Sequence, residues 1–103
     1  MSSDRLRTPE VEALLRALLT LENDDDAYAF LQDLCTIREI QDMAQRYAVA
    51  RMLDAGEHYT RIQEATGAST TTISRVSRCL NYGAEGYRRV LDRAADGSAK
   101  AGE

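Results

Sequence analysis

The segment Gly67–Gly83, GASTTTISRVSRCLNYG, concentrates side chains that can bond anions and the polar edges of bases. Thr70, Thr71, Thr72, Ser74, Arg75 and Arg78 supply hydroxyl and guanidinium groups. The segment contains no carboxylate, although the 103-residue chain carries a formal net charge of -4. Short hydroxyl side chains at a helix N-terminus let the backbone approach a phosphate closely, and the helix end is itself an anion site. Threonine offers a hydroxyl to polar edges and a methyl to the thymine methyl group. Arginine reaches phosphate or guanine. A solvated helix face of no special purpose uses the same residue types, so spacing has to decide.

The spacing is that of two short helices joined at a glycine. Thr60 and Gln63 form a capping-box pattern that opens a helix of about two turns, closing at Gly67. Ser69 caps the next helix, whose inner face is Ile73, Val76 and Leu80. Ile62 precedes Gly67 by five residues, and Ile73 and Val76 follow it by six and nine. These apolar residues lock the helices together, and glycine supplies the positive φ of the turn. Thr70, Thr71, Thr72, Ser74, Arg75 and Arg78 are left facing outward. Tyr59, Thr60, Gln63 and Ser69 flank them, the first three on the helix that would cross a phosphate backbone.

Further elements must hold this pair. Thr8-Pro9-Glu10-Val11-Glu12 begins a helix with a hydroxyl cap, an N1 proline and first-turn acids. Val11, Leu14, Leu15, Leu18 and Leu21 continue it to about Glu22. Asn23-Asp24-Asp25-Asp26 reads as a cap and acidic first turn for a short helix over 27–34. A calcium loop would need a following glycine and a distant glutamate, which the run lacks. Thr36 and Glu39 cap a third, longer helix ending before Gly56. Its apolar residues Ile37, Ile40, Met43, Ala44, Tyr47, Ala48, Met52 and Ala55 share one face, with Val49 and Leu53 on a second side. Such a helix is central in its own domain or shared with a second chain. A last helix over 84–94 carries Tyr87, Val90, Leu91 and Ala94. Residues 1–7 and 95–103 read as a flexible N-terminus and a disordered tail.

Composition narrows the class. Apolar residues make up 44% and charged residues 29%, which suits one soluble all-α domain over 8–94. No apolar run is long enough for a membrane span. The first residues lack the apolar stretch of a secretory signal, so a cytoplasmic location is expected. Cys35 and Cys79 are too few for a disulfide framework. Charge is uneven: residues 1–56 hold six basic and eleven acidic side chains, residues 57–103 seven and six. A local basic face on the second half is compatible with an acidic whole. No nucleophile–base pair, paired catalytic acids or glycine-rich phosphate loop occurs, so no enzyme is expected. His58 lies in a linker with no second metal-type ligand at a useful spacing. No metal or other cofactor is expected.

The segment His58–Leu80, HYTRIQEATGASTTTISRVSRCL, resembles the DNA-reading part of the Trp-repressor superfamily. Leu34–Glu57, LCTIREIQDMAQRYAVARMLDAGE, is similar to that superfamily's preceding long helix. The NYG segment after the second short helix resembles the Trp repressor-related YerC/YecD family. The resemblance implies a six-helix Trp-repressor-like fold with a helix-turn-helix at 58–80. It also implies an intertwined homodimer whose helices over 8–56 interlock, and a palindromic operator with reading helices about 34 Å apart.

The superfamily's founding member senses tryptophan. The resemblance carries its pocket onto Thr36, Arg46 and Arg75. Val76 stands where the sensors have a glycine, and Cys79 where they have a serine. Two added methyl groups in a close-packed site can exclude an indole ring. Tryptophan is therefore not expected as corepressor, and the effector, if one exists, is unnamed. The resulting expectation is a DNA-binding transcriptional regulator of repressor type, with double-stranded DNA and a second copy as partners. The rival is a helical interaction module that has lost DNA binding. The net charge favours that rival, as does the single lysine, Lys100.

Overall fold

The computed structural model describes residues 5–101, and every regular element in them is helical. Six helices follow in order: α1 Pro9–Leu18, α2 Asp24–Leu34, α3 Ile37–Asp54, α4 Tyr59–Thr66, α5 Thr70–Tyr82 and α6 Gly86–Ala101. None of them is long and apolar enough to cross a membrane. The expected flexible ends fall partly on residues 1–4 and 102–103, outside the described residues.

The chain divides into two compact units, residues 1–40 and 41–103, where one domain was expected. The boundary falls inside α3. In the first unit, the Thr8 hydroxyl accepts from Val11 N at 3.2 Å, opening α1. The Arg7 guanidinium bonds Glu12, so Arg7 belongs to the start of α1 rather than to a free end. α1 stops at Leu18, short of the expected Glu22. The Thr20 hydroxyl donates to the Ala17 carbonyl at 2.7 Å and satisfies one of the helix's terminal acceptors. Asn23 Oδ1 accepts from Asp26 N at 2.9 Å, so the acidic run caps α2, which starts three residues earlier than expected. Thr36 and Glu39 form a complete capping box: Glu39 N donates to the Thr36 hydroxyl at 3.1 Å, and Thr36 N to Glu39 Oε1 at 2.8 Å.

The second unit holds the core. Val49, Ala50, Ile62, Ala68, Ile73, Val76 and Leu91 are buried together, with Tyr47, Met52, Leu53, Leu80 and Tyr87 packed around them. On α3 the side facing this core is Val49 and Ala50. The longer stripe of the sequence reading is half-buried at Met43, Tyr47, Ala48 and Met52 and exposed at Ala44 and Ala55. α3 closes in a Schellman arrangement at Gly56, with Gly56 N donating to Leu53 O and Glu57 N to Met52 O, both at 3.0 Å.

That closure feeds directly into α4. His58 is its N-cap residue through the backbone alone, and Tyr59 its first residue. Thr60 is therefore inside the first turn and does not cap, contrary to the expected capping box. α4 ends at Gly67, whose φ of 74° is the left-handed conformation a side chain resists. Ser69 Oγ accepts from Thr72 N at 3.1 Å and opens α5 as expected.

α5 runs to Tyr82, past the expected Leu80, and turns at Gly83. A Cβ at Gly83 would lie 2.4 Å from the Cys79 carbonyl oxygen, so only glycine fits this turn. α6 packs on α5, and Arg88 ties it to the end of α3 by a 2.8 Å bond to Asp54. That bond and the Asp54 charge raise the Arg88 pKa above its ordinary value. A group raised in this way keeps its contribution below its unfolded pKa and loses it only as pH climbs through the folded one. The tie therefore does not switch near neutrality. α6 also continues to Ala101, so 95–101 is helical where a disordered tail was expected. Alanine at 94, 95, 99 and 101 favours that continuation.

Candidate nucleic-acid interface

The α4–α5 pair is fixed from below by its core side chains. Ile62 on α4 and Ile73 and Val76 on α5 are each at most 1% exposed. Val76 follows Ile73 by three residues on a helix, so both project to one side, and α5 must show its other side to solvent. Thr70, Thr71, Ser74, Arg75 and Arg78 line one open groove on that outer side. The five belong to successive turns of a single helix, which keeps their spacing rigid.

The electrostatics of this groove are simple. α5 contains no acidic residue. Neither Arg75 nor Arg78 makes an ion pair among the described residues, so both guanidinium groups remain available to an external anion. The groove begins at the α5 N-terminus, where unpaired backbone N–H groups add positive partial charge. Hydroxyl groups, fork-shaped donors and a helix N-terminus together match phosphate oxygens and base edges.

The other expected contact residues divide by what their side chains already do. Tyr59, Thr60 and Gln63 are exposed on α4 beside the pair's turn. Arg61 is exposed there too and adds a cation that the sequence reading passed over, although its position beside Thr60 could have flagged it. Ser69 is occupied: its hydroxyl caps α5 and donates to Thr72 Oγ1 at 3.1 Å. Thr72 is half-buried and shares that bond, so it is turned away from the groove that its neighbours line. The outer surface thus reduces from ten expected residues to a groove of five, flanked by four on α4.

The five residues of the expected effector pocket lie in distinct surroundings. Thr36 spends its hydroxyl on the α3 cap. Arg46 is exposed on α3. Val76 is 1% exposed and fills the core, so it offers no wall to a ligand. Arg75 faces the polar groove. Cys79 lines a different, apolar groove with Tyr47, Gly83, Tyr87 and Val90. Among the described residues, no group of three or more His, Cys, Asp or Glu side chains could hold a metal ion.

Neither Gln45 nor the Arg88–Asp54 tie is marked in the sequence. Gln45 on α3 donates from Nε2 to the Thr66 carbonyl at 3.1 Å, touching the end of α4. A backbone carbonyl as acceptor leaves no mark in residue types. Asp54 and Arg88 are 34 positions apart, and no local pattern pairs them.

Comparison with known proteins agrees with this architecture. The family model described as Trp repressor protein matches residues 9–95. The uncharacterized protein YerC of Bacillus subtilis (strain 168) is 51% identical over 96 residues, which is 93% of this chain and 92% of that protein. Among solved structures, a provisionally named Trp repressor from Staphylococcus aureus superposes with a TM-score of 0.86 at 45% identity, covering 92% of this chain and 95% of that one. A TrpR-like protein from Eubacterium eligens ATCC 27750 gives a TM-score of 0.85 at 51% identity, covering 89% and 95%. With the matching region spanning all the helices up to residue 95, and with the fold shared, this chain belongs to the Trp repressor protein family.

Proposed function

We propose that this protein is a sequence-specific DNA-binding transcriptional regulator, of repressor type, that reads a palindromic operator as a homodimer. The observation that carries the reading is the acid-free groove of Thr70, Thr71, Ser74, Arg75 and Arg78 on α5, the second helix of a glycine-turned pair. α5 is the helix that enters the major groove, α4 lies across the backbone, and Arg61 and Gln63 contact phosphates. Exposed leucines on α1 support the homodimer, because a lone chain leaves them in water. Membership of a family of DNA-binding regulators, and not of enzymes, supports the same reading.

Selection of bound duplexes from a random library tests it. The expected product is a palindromic site whose affinity falls steeply as salt rises, in proportion to the phosphates neutralised. A library that yields no bound duplex at low salt sinks the reading in favour of a protein-interaction module. The same protein should ignore tryptophan, because the positions that the resemblance assigns to an indole pocket do not meet in one: Val76 fills the core, Thr36 caps α3 and Arg75 lines the polar groove. Titration calorimetry should give no saturable heat with tryptophan. Micromolar binding would overturn this part alone.

A further inference from the structure

We infer that Gln45 is a positioning residue that sets the angle of α5 by holding the end of α4 from α3. The inference rests on the DNA-reading role proposed above for its effect on binding, but its geometry stands apart from that role. The Gln45 amide nitrogen lies 3.1 Å from the Thr66 carbonyl oxygen, in a half-buried site. Only the NH2 end of the amide can donate to a carbonyl, which fixes the side chain's orientation.

Thr66 is the last residue of α4, and its carbonyl is one of the acceptors a helix end leaves without an internal partner. Its side chain is equally engaged. The Thr66 hydroxyl donates to the Ile62 carbonyl at 2.7 Å and accepts from Ala68 N at 3.1 Å. Gly67 N donates to the Gln63 carbonyl at 2.8 Å. Ala68 is 3% exposed and anchors the turn in the core. Every polar group from Thr66 to Ala68 that these bonds reach is thus held by local partners, with one exception. The Thr66 carbonyl is held by a different helix, 21 residues earlier in the chain.

The lever is short. Between the Thr66 carbonyl and the first residue of α5 lie Gly67, Ala68 and Ser69. Gly67 is the one joint among them in the left-handed conformation, and the Gln45 amide sits beside it, 4.0 Å from where a Cβ would be. α3 is the longest helix of the described residues, apart from being the one whose Val49 and Ala50 face the core. A bond from that helix to the joint couples the tilt of the reading helix to the rigid part of the unit. Ile62, Ile73 and Val76 hold the pair together by packing, which resists separation but opposes a small tilt only weakly, because hydrophobic contact is non-directional. A hydrogen bond is directional and supplies that restraint.

The test compares the wild type with Gln45→Met, which keeps length and volume and removes the donor. Gln45→Glu is the second variant; its carboxylate cannot donate to a carbonyl. Affinity is measured for the selected duplex and for a scrambled duplex, alongside amide hydrogen exchange and the thermal midpoint. Affinity of both variants for the selected duplex should fall about threefold to tenfold, while affinity for the scrambled duplex is unchanged. Exchange at Gly67 and Ala68 should quicken, with exchange in α6 unchanged. Equal loss on both duplexes, accompanied by faster exchange throughout the unit, would make Gln45 an ordinary stabilising residue and overturn the inference. Unchanged exchange at Gly67 and Ala68 would also overturn it. If the wild type binds no duplex, the DNA reading fails, and the exchange measurement alone decides whether Gln45 holds the turn.

Discussion

Residues 1–40 and residues 41–103 are both helical and both well capped, yet they differ in what becomes of their apolar side chains. No described residue of the first unit is buried. Leu14, Leu15, Leu18, Leu19, Tyr28, Leu34 and Ile37 are all exposed, Leu19 at 86%. The second unit buries seven residues in one cluster. Helix caps are local and need nothing beyond the chain's own neighbours. Burial needs a cover, and helices as short as α1 gain most of their stability from packing an apolar face. A first unit with its caps complete and its leucines exposed offers an apolar face that a second copy would cover. This is the physical content of the homodimer proposed here.

The comparison breaks most visibly at the leucines. Replacing Leu15 and Leu18 together with glutamate should abolish self-association. Leu15 and Leu18 are 38% and 40% exposed, so covering what remains of each contributes about 1 kcal/mol per side chain, and the added charges remove more. Sedimentation velocity should show a dimer for the wild type and a monomer for the double variant. A wild type that sediments as a monomer would mean that the exposed stripe has some other cover.

Next in size is the core of the second unit. Ile73 is fully buried, and Ile73→Ala should cost about 2–5 kcal/mol, read as a lower urea midpoint. The loss should appear with the dimer still formed, since Ile73 belongs to the unit that buries its own apolar side chains. A variant that instead dissociates without losing stability would show that the two units depend on each other more than their separate packing implies.

These two units were also unequally legible in the sequence. Thr8, Asn23, Thr36 and Ser69 could be read as caps because each bonds a backbone N–H three residues on. Gly67 could be read because its turn requires a conformation that other residues avoid. Thr60 misled because the pattern Thr-x-x-Gln fits a capping box, whereas the Gly56 closure leaves only His58 free to start α4. The core-facing side of α3 could not be chosen from sequence, since that helix is apolar on two sides. Its longer stripe lies half-open in a single chain, which is what a surface shared with a second copy would do. The groove residues Thr70, Thr71, Ser74, Arg75 and Arg78 were legible from periodicity once Ile73 and Val76 were taken as inward. Thr72 is expected outward with them, although it precedes Val76 by four residues and so shares the flank of the inner face, where it is half-buried.

The groove gives the third prediction. Arg75→Ala should weaken binding to the selected duplex by about 1–3 kcal/mol and lower the salt slope by about one if Arg75 meets a phosphate. Arg46→Ala, on α3 and outside the groove, should leave both quantities unchanged. Equal effects of the two substitutions would mean that net charge, and not this surface, governs binding.

Ser69 gives the smallest expected change in stability and separates its two possible uses. Its hydroxyl accepts from Thr72 N, so Ser69→Ala should cost about 1 kcal/mol, measured by chemical denaturation. Ser69→Asp keeps an acceptor at the cap and places a negative charge at a helix N-terminus, where it is favoured. Its stability should therefore match the wild type to within about 0.5 kcal/mol. DNA affinity should respond in the opposite order. The alanine variant removes no contact that the cap had left available, so it should bind nearly as the wild type does. The aspartate variant sets a carboxylate where a phosphate would approach, and should bind far more weakly. A stable aspartate variant with undiminished affinity would mean that the α5 N-terminus does not face the phosphates, and the reading surface would have to lie elsewhere on the second unit.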